Sequence, residues 1–146
     1  AITDGVEWEP VTELDGDVEI ELGWDDEEPA GALAETVVFD GFYICGDGDG
    51  VLIYLAEVNN GSDLTISNNV LESYIVGIMS DGLTTDNASS VTIAGNYILF
   101  GSCGIDFSNV VGGSELTIRD NEVLNNHQGI DIGNLAEEST VTIEDN

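Results

Sequence analysis

From residue 62 onward the aliphatic side chains return in a fixed pattern. In "SDLTISNN" (Ser62 to Asn69), "SSVTIAGN" (Ser89 to Asn96), "SELTIRDN" (Ser114 to Asn121) and "STVTIEDN" (Ser139 to Asn146) the sequence reads Ser-x-(Leu/Val)-Thr-Ile-x-x-Asn, at offsets of 27, 25 and 25 residues. Within each copy apolar and polar positions alternate, which is the period of a strand with one buried face. A second alternating block follows each of the first three copies: "GIMS" from Gly77, "GIDF" from Gly104 and "GIDI" from Gly129. One degenerate earlier turn, "VVFDGFYI" from Val37 with "GVLI" from Gly50, fits the 27-residue offset.

A period near 25 residues holds two or three short strands and their turns but leaves no room for a crossover helix. The economical solution is a coil in which each strand pairs in parallel with its own copy one turn later, about 4.8 Å away. Such connections are right-handed by default. The expected fold is therefore all-β: a right-handed parallel β-helix (solenoid) of about four to five turns over residues 37–146, with residues 1–36 as an N-terminal β cap segment. That segment holds Trp8, Trp24, Pro10, Pro29, a strand-like "DVEIEL" from Asp17 and an acidic loop from Trp24. A solenoid end needs cover because it offers unpaired backbone and an open core.

On its "VTIxxN" and "GIxI" blocks, residues 37–146 resemble the right-handed parallel β-helix repeat proteins of the pectate-lyase-like superfold. That fold hosts lyases, hydrolases, phage spikes, adhesins and inert scaffolds, so the resemblance speaks for fold rather than activity. It implies that Asn69, Asn96, Asn121 and Asn146 form a structural ladder of stacked amides. Asn suits this place because it tolerates tight-turn angles and its enclosed amide finds partners above and below. Ser62, Ser89, Ser114 and Ser139 make a second row at the preceding turn, and a catalytic serine would not recur four times.

Charge narrows the biology. The 146 residues carry 30 acidic side chains against one Arg and no Lys, a formal charge of −29. Phosphate backbones and acidic lipids are not attracted to such a surface, so nucleic acid and membrane insertion are excluded as ordinary partners. Cations are the natural partners: high salt screens the repulsion, or Ca2+ and other divalent ions bridge the carboxylates. The composition points to a halophilic or calcium-dependent protein of the cell surface or extracellular space. No run reaches the length of a membrane span, and the chain reads as exported with its leader already removed.

Candidate ion ligands are Asp106 and Asp131, at one position of successive "GID" blocks, and Asp47 and Asp49 on the glycine-rich turn "CGDGDG". Two sequons, at Asn60 and Asn87, stand 27 residues apart and would set glycans side by side. Cys45 and Cys103 belong to turns two rungs apart, about 10 Å along the axis and beyond disulfide reach. Arg119 is the sole candidate for the basic residue of a lyase, and its place beside Glu144 of the next turn predicts a surface ion pair instead. His127 and Asp131 in "NNHQGIDIG" lack the further aspartates and basic residues of a sugar hydrolase. The outward row Thr65, Thr92, Thr117 and Thr142 fits β-propensity. After "VTIEDN" nothing resembling a cap follows, so the last turn is expected to continue or to meet another subunit by strand addition. The leading expectation is a non-enzymatic, exported structural protein, a subunit of a surface filament or coat that self-associates head-to-tail. The alternative is a carbohydrate-binding or carbohydrate-cleaving β-helix domain, a fragment of a larger surface protein, that would meet saccharides through Tyr74, Tyr97 and Phe100, although core or rim packing is the favoured reading of those aromatics.

Overall fold

A computed structural model describes residues 2–3, 6–7, 12–15, 18–22, 36–58, 61–72, 74–80, 89–136 and 138–146. A short antiparallel pair, β1 (Ile2–Thr3) and β2 (Val6–Glu7), comes first. Strands then follow in threes. These are β3 (Thr12–Asp15), β4 (Val18–Leu22) and β5 (Thr36–Asp40), then β6 (Phe42–Cys45), β7 (Val51–Val58) and β8 (Asp63–Ser67). Next come β9 (Val70–Glu72), β10 (Val76–Ser80) and β11 (Ser90–Ala94), then β12 (Tyr97–Leu99), β13 (Cys103–Val110) and β14 (Glu115–Arg119). The last are β15 (Glu122–Leu124), β16 (Gln128–Leu135) and β17 (Thr140–Glu144).

Every third strand pairs in parallel, giving three five-stranded sheets in the orders β3-β6-β9-β12-β15, β4-β7-β10-β13-β16 and β5-β8-β11-β14-β17. This is the expected parallel coil, with three strands per turn. Two strands of the segment expected as a cap, β3 and β4, pair in parallel with β6 and β7 and so continue the coil below residue 37. Apart from β1, β2 and Thr36, the remainder of that segment, including both tryptophans, both prolines and the acidic loop, lies outside the described residues.

Repeat positions become columns. Val37, Leu64, Val91, Leu116 and Val141 are in register across the β5-to-β17 sheet, as are Phe39, Ile66, Ile93, Ile118 and Ile143. Their middle members fill the interior: Leu64, Val91 and Leu116 are 1% exposed and Ile66, Ile93 and Ile118 fully buried. Burial of this kind stabilises by roughly 1.5–3 kcal/mol per side chain. Ile44, Leu71 and Ile98 line the second wall, and Ile53, Ile78 and Ile105 the third.

The other repeat letters have backbone reasons. The residue before each ladder asparagine is left-handed: Asn68, Gly95, Asp120 and Asp145 have φ of 53°, 65°, 56° and 54°. Asn, Asp and Gly are the residues that accept that region at least cost. The glycines of the first two "GI" blocks answer a close approach between rungs, whereas a Cβ on Gly129 would have no neighbour nearer than 4.0 Å. A Cβ on Gly77 would lie 2.6 Å from the Gly104 carbonyl oxygen, and one on Gly104 2.7 Å from that of Gly129.

Candidate functional site

The corner between the β5-to-β17 and β3-to-β15 sheets carries the amide ladder. Asn96 Oδ1 accepts from the Asn69 backbone N–H (3.0 Å) and Nδ2 (2.9 Å), and Asn121 Oδ1 accepts the same pair from Asn96. Asn146 repeats the geometry for Asn121, at 3.1 and 2.8 Å. Each Nδ2 also reaches a carbonyl one rung back: Asn69 that of Phe39, Asn96 that of Ile66, Asn121 that of Ile93 and Asn146 that of Ile118. Asn69, Asn96 and Asn121 are at most 2% exposed, so these bonds satisfy groups that water cannot reach. Ser62, Ser89 and Ser114 are buried at the preceding corner, as a structural row should be.

A shallow groove of about 390 Å³ lies outside this corner, lined by Thr65, Ser67, Asn68, Ala94, Gly95, Arg119 and Asp120. Its shape follows from one rung: Ala94 and Gly95 stand where the adjacent rungs carry Ser67–Asn68 and Arg119–Asp120. One rim is pinned, because Asp40 Oδ1 accepts from Ser67 Oγ (2.6 Å) and Asn68 Nδ2 (2.8 Å). The Ser67 hydroxyl, then the Asn68 amide, hold the Asp40 carboxyl below its ordinary value. On the other rim Arg119 NH1 meets Asp120 Oδ2 at 2.6 Å. Glu144 is in register with Arg119, as the repeat requires, but the ion partner is Asp120, not Glu144. The adjacent residue shares the left-handed corner, which turns its carboxylate back to the guanidinium. Periodicity could not show this, since the groove is made by a departure from the repeat.

The acidic candidates separate into two kinds. Asp106 and Asp131 are paired in register on β13 and β16, in line with Met79 on β10. Burial, then those two carboxylates, push the Cys103 thiol above its ordinary value. Asp47 and Asp49 are exposed on the turn before β7, where the Asp49 N–H donates to Asp47 Oδ1 at 3.2 Å. The structure does not bring the two pairs together, and among the described residues no three His, Cys, Asp or Glu side chains gather around one point. Asn60 and Asn87, the sequon asparagines, lie outside the described residues.

The aromatic candidates part as well. Tyr74 is 3% exposed and its hydroxyl donates to Asn126 Oδ1 at 2.7 Å. Tyr97 is half-buried, and Phe100 is 54% exposed at a left-handed φ of 61°. His127 is exposed, Cys45 and Cys103 are free thiols on different sheets, and Asp131 is exposed. Asn126 forms a second amide bracket that sequence reasoning missed: it accepts from Gly101 N–H (2.8 Å) and donates to the Ile98 and Leu124 carbonyls (both 3.1 Å). It occurs in one turn, so no repetition marks it.

A family model for the right-handed β-helix region matches residues 37–146. The chain belongs to the right-handed β-helix family. The match covers every turn of this β-helix in which the "VTIxxN" blocks were found, and it fixes the hand of the coil. Neither the curated proteins nor the solved structures provide a match to this β-helix. Among the described residues no helix is long and apolar enough to cross a membrane.

Proposed function

We propose that this β-helix is a non-enzymatic structural module, exported to the cell surface or extracellular space, where it forms part of a filament or coat. What supports the reading is axial continuity. All three parallel sheets run through the described rungs, with one register shift between Ile20 and Glu21 of β4, and the amide ladder runs from Asn69 to Asn146. A coil held by backbone and amide bonds along one axis resists extension in that direction. Its −29 charge makes the exterior a strongly hydrated, cation-collecting surface.

The same geometry supports a reading of axial growth. Ile118 is fully buried under the next rung, whereas Ile143 at the equivalent place is 50% exposed and Leu135 is 51% exposed. We propose that a second copy of the coil covers this rung head-to-tail, adding strands to β15, β16 and β17. High salt or Ca2+, the latter at Asp106 and Asp131 or at Asp47 and Asp49, relieves the repulsion between copies.

Electron microscopy and sedimentation of the chain in molar salt, with and without chelator, test the reading. Filaments one coil wide are expected, and Ile143→Lys on the half-exposed rung should shorten them. Monodisperse single coils under every ionic condition would sink it.

A further inference from the structure

We infer that the outer face of the β3-to-β15 sheet is a lateral docking surface for the same face of a second copy of this chain. Ile44, Leu71 and Ile98 fill the coil and are fully buried, so the residues alternating with them on β6, β9 and β12 face outward. Register stacks those outward residues in two columns, Tyr43, Val70 and Tyr97 in one and Cys45, Glu72 and Leu99 in the other. Leu124 on β15 continues the second column. The result is an aromatic and aliphatic strip on a chain whose formal charge is −29. The carboxylate among these six residues is engaged, because the Tyr43 hydroxyl donates to Glu72 Oε2 at 2.6 Å. On the β4-to-β16 sheet, by contrast, one column holds both Asp106 and Asp131.

The corner beside this strip carries an independent sign of a partner. Phe100 follows Leu99 directly, is 54% exposed and holds a left-handed φ of 61°. Asn125 takes the equivalent place one rung on, at φ 58°; Asn suits that region, whereas a bulky side chain is strained there. Contacts within the chain do not offset that strain, since half of the residue still meets solvent. Leu124 and Ile75, 42% and 46% exposed, flank the ring. The Phe100 N–H donates to the Leu124 carbonyl at 3.3 Å, and the Ile75 carbonyl accepts from Ser102 N–H at 3.0 Å. Exposed apolar side chains gathered at one corner mark a contact surface.

Charge selects the occupant. A basic partner is drawn to the carboxylates on the rest of the surface, and nothing directs it to the strip that has few. A second copy carries the same −29 charge, and this strip is where the two approach with least repulsion. Charged residues bound it at both ends, Glu13 and Asp15 in register at one and Glu122 at the other, as an interface rim surrounds an apolar centre. Five rungs of strands three or four residues long offer roughly 200 Å² per copy before Phe100 and Ile75 are added. That is well under the ~800 Å² of a standard interface, so a dissociation constant on the order of 0.1–1 mM is expected in molar salt. The contact runs across the coil axis and does not rest on head-to-tail growth.

The chain carries its own reporter, since Cys45 lies within the strip and is partly exposed, whereas Cys103 is 5% exposed. The full chain with Ile143→Lys, which blocks the axial contact, is followed by sedimentation equilibrium and by the rate of Cys45 alkylation with iodoacetamide. Chain concentration runs from about 10 μM to about 2 mM, and NaCl from about 0.5 M to about 3 M. A monomer–dimer equilibrium that tightens as salt rises is expected, with alkylation slowed at least about twofold at the highest concentration. Phe100→Asn, which copies the Asn125 corner, should melt close to the parent yet weaken association about tenfold or more, and Leu124→Glu should weaken it likewise. The inference is overturned if the chain stays monomeric at about 2 mM in about 3 M NaCl, or if association weakens as salt rises, the response of a contact between opposite charges. It is also overturned if a dimer leaves Cys45 as reactive as in the monomer, or if both variants associate as the parent does. Filaments from the parent chain beside a monomeric Ile143→Lys chain would sink the lateral contact and leave the axial one standing.

Discussion

Asn96 Oδ1 receives two hydrogens from Asn69, the backbone N–H at 3.0 Å and the side-chain amide at 2.9 Å. One oxygen thus ties a whole corner to the rung below it. Asn96→Ala leaves both Asn69 donors without that acceptor, and the Ile66 carbonyl loses its Asn96 donor. Unmet buried groups of this kind cost about 1–3 kcal/mol each, so a total near 2–4 kcal/mol is expected. Asn146→Ala frees the two Asn121 donors in the same way, but Asn146 is itself exposed, so its removal lets water reach them and about 1 kcal/mol or less is expected. Urea denaturation of the two variants checks the contrast, and equal losses would contradict the ladder's role.

Gly101 is where Tyr74 passes. A Cβ there would fall 1.8 Å from Tyr74 Cε2, so Gly101→Ala must push a buried ring and its bond to Asn126 out of place. A loss of about 2–4 kcal/mol is expected. In the Tyr74→Ala background the added methyl should be tolerated, giving a coupling of at least about 1 kcal/mol in a double-mutant cycle.

Asp40 and Tyr74 contribute at opposite ends of the pH profile. The Asp40 carboxyl is lowered in the fold, so the stability it adds is complete above about pH 4 and is lost as pH falls through the folded value. Asp40→Asn should flatten the dependence of the urea midpoint on pH below about 4, measured against the parent. Burial raises the Tyr74 phenol, so its contribution is complete below about pH 10 and is lost as pH rises further. Tyr74→Phe should lessen that alkaline loss.

Repulsion among 29 net negative charges is screened over about 10 Å at 0.1 M salt and about 3 Å at 1 M. The melting temperature should rise by about 10 °C or more between those conditions, with gentle flattening beyond. If Asp106 and Asp131 hold a divalent ion, millimolar Ca2+ will add a further rise that Asp106→Asn removes. An identical calcium response in that variant would remove these residues from consideration.

The coil was legible because its period is written in residues with one role each: Leu64, Ile66 and Asn69 and their copies at the interior turns carry the same burial and bonds. The groove was not, because Ala94 and Gly95 matter by being smaller than their column neighbours, and the Arg119 partner is a local choice set by backbone φ at Asp120. For Tyr74 the sequence left two readings, core packing, which it favoured, and a sugar platform, and the buried ring is packed. What the sequence did not show is its setting as a wedge, since only the turn geometry places Gly101 and Asn126 around its ring.

The ladder tolerates unequal turns: 27 residues separate Asn69 from Asn96, but 25 separate Asn96 from Asn121, with the same amide contact in both. Extra residues must therefore be accommodated sideways, off the corners, while each circuit climbs one strand spacing of about 4.8 Å. Among the described residues, the five strands of each sheet span about 19 Å from first to last, whatever loops lie between them. The molecule behaves as a ruler graduated in circuits rather than residues, and evolution can decorate its sides freely without altering its length.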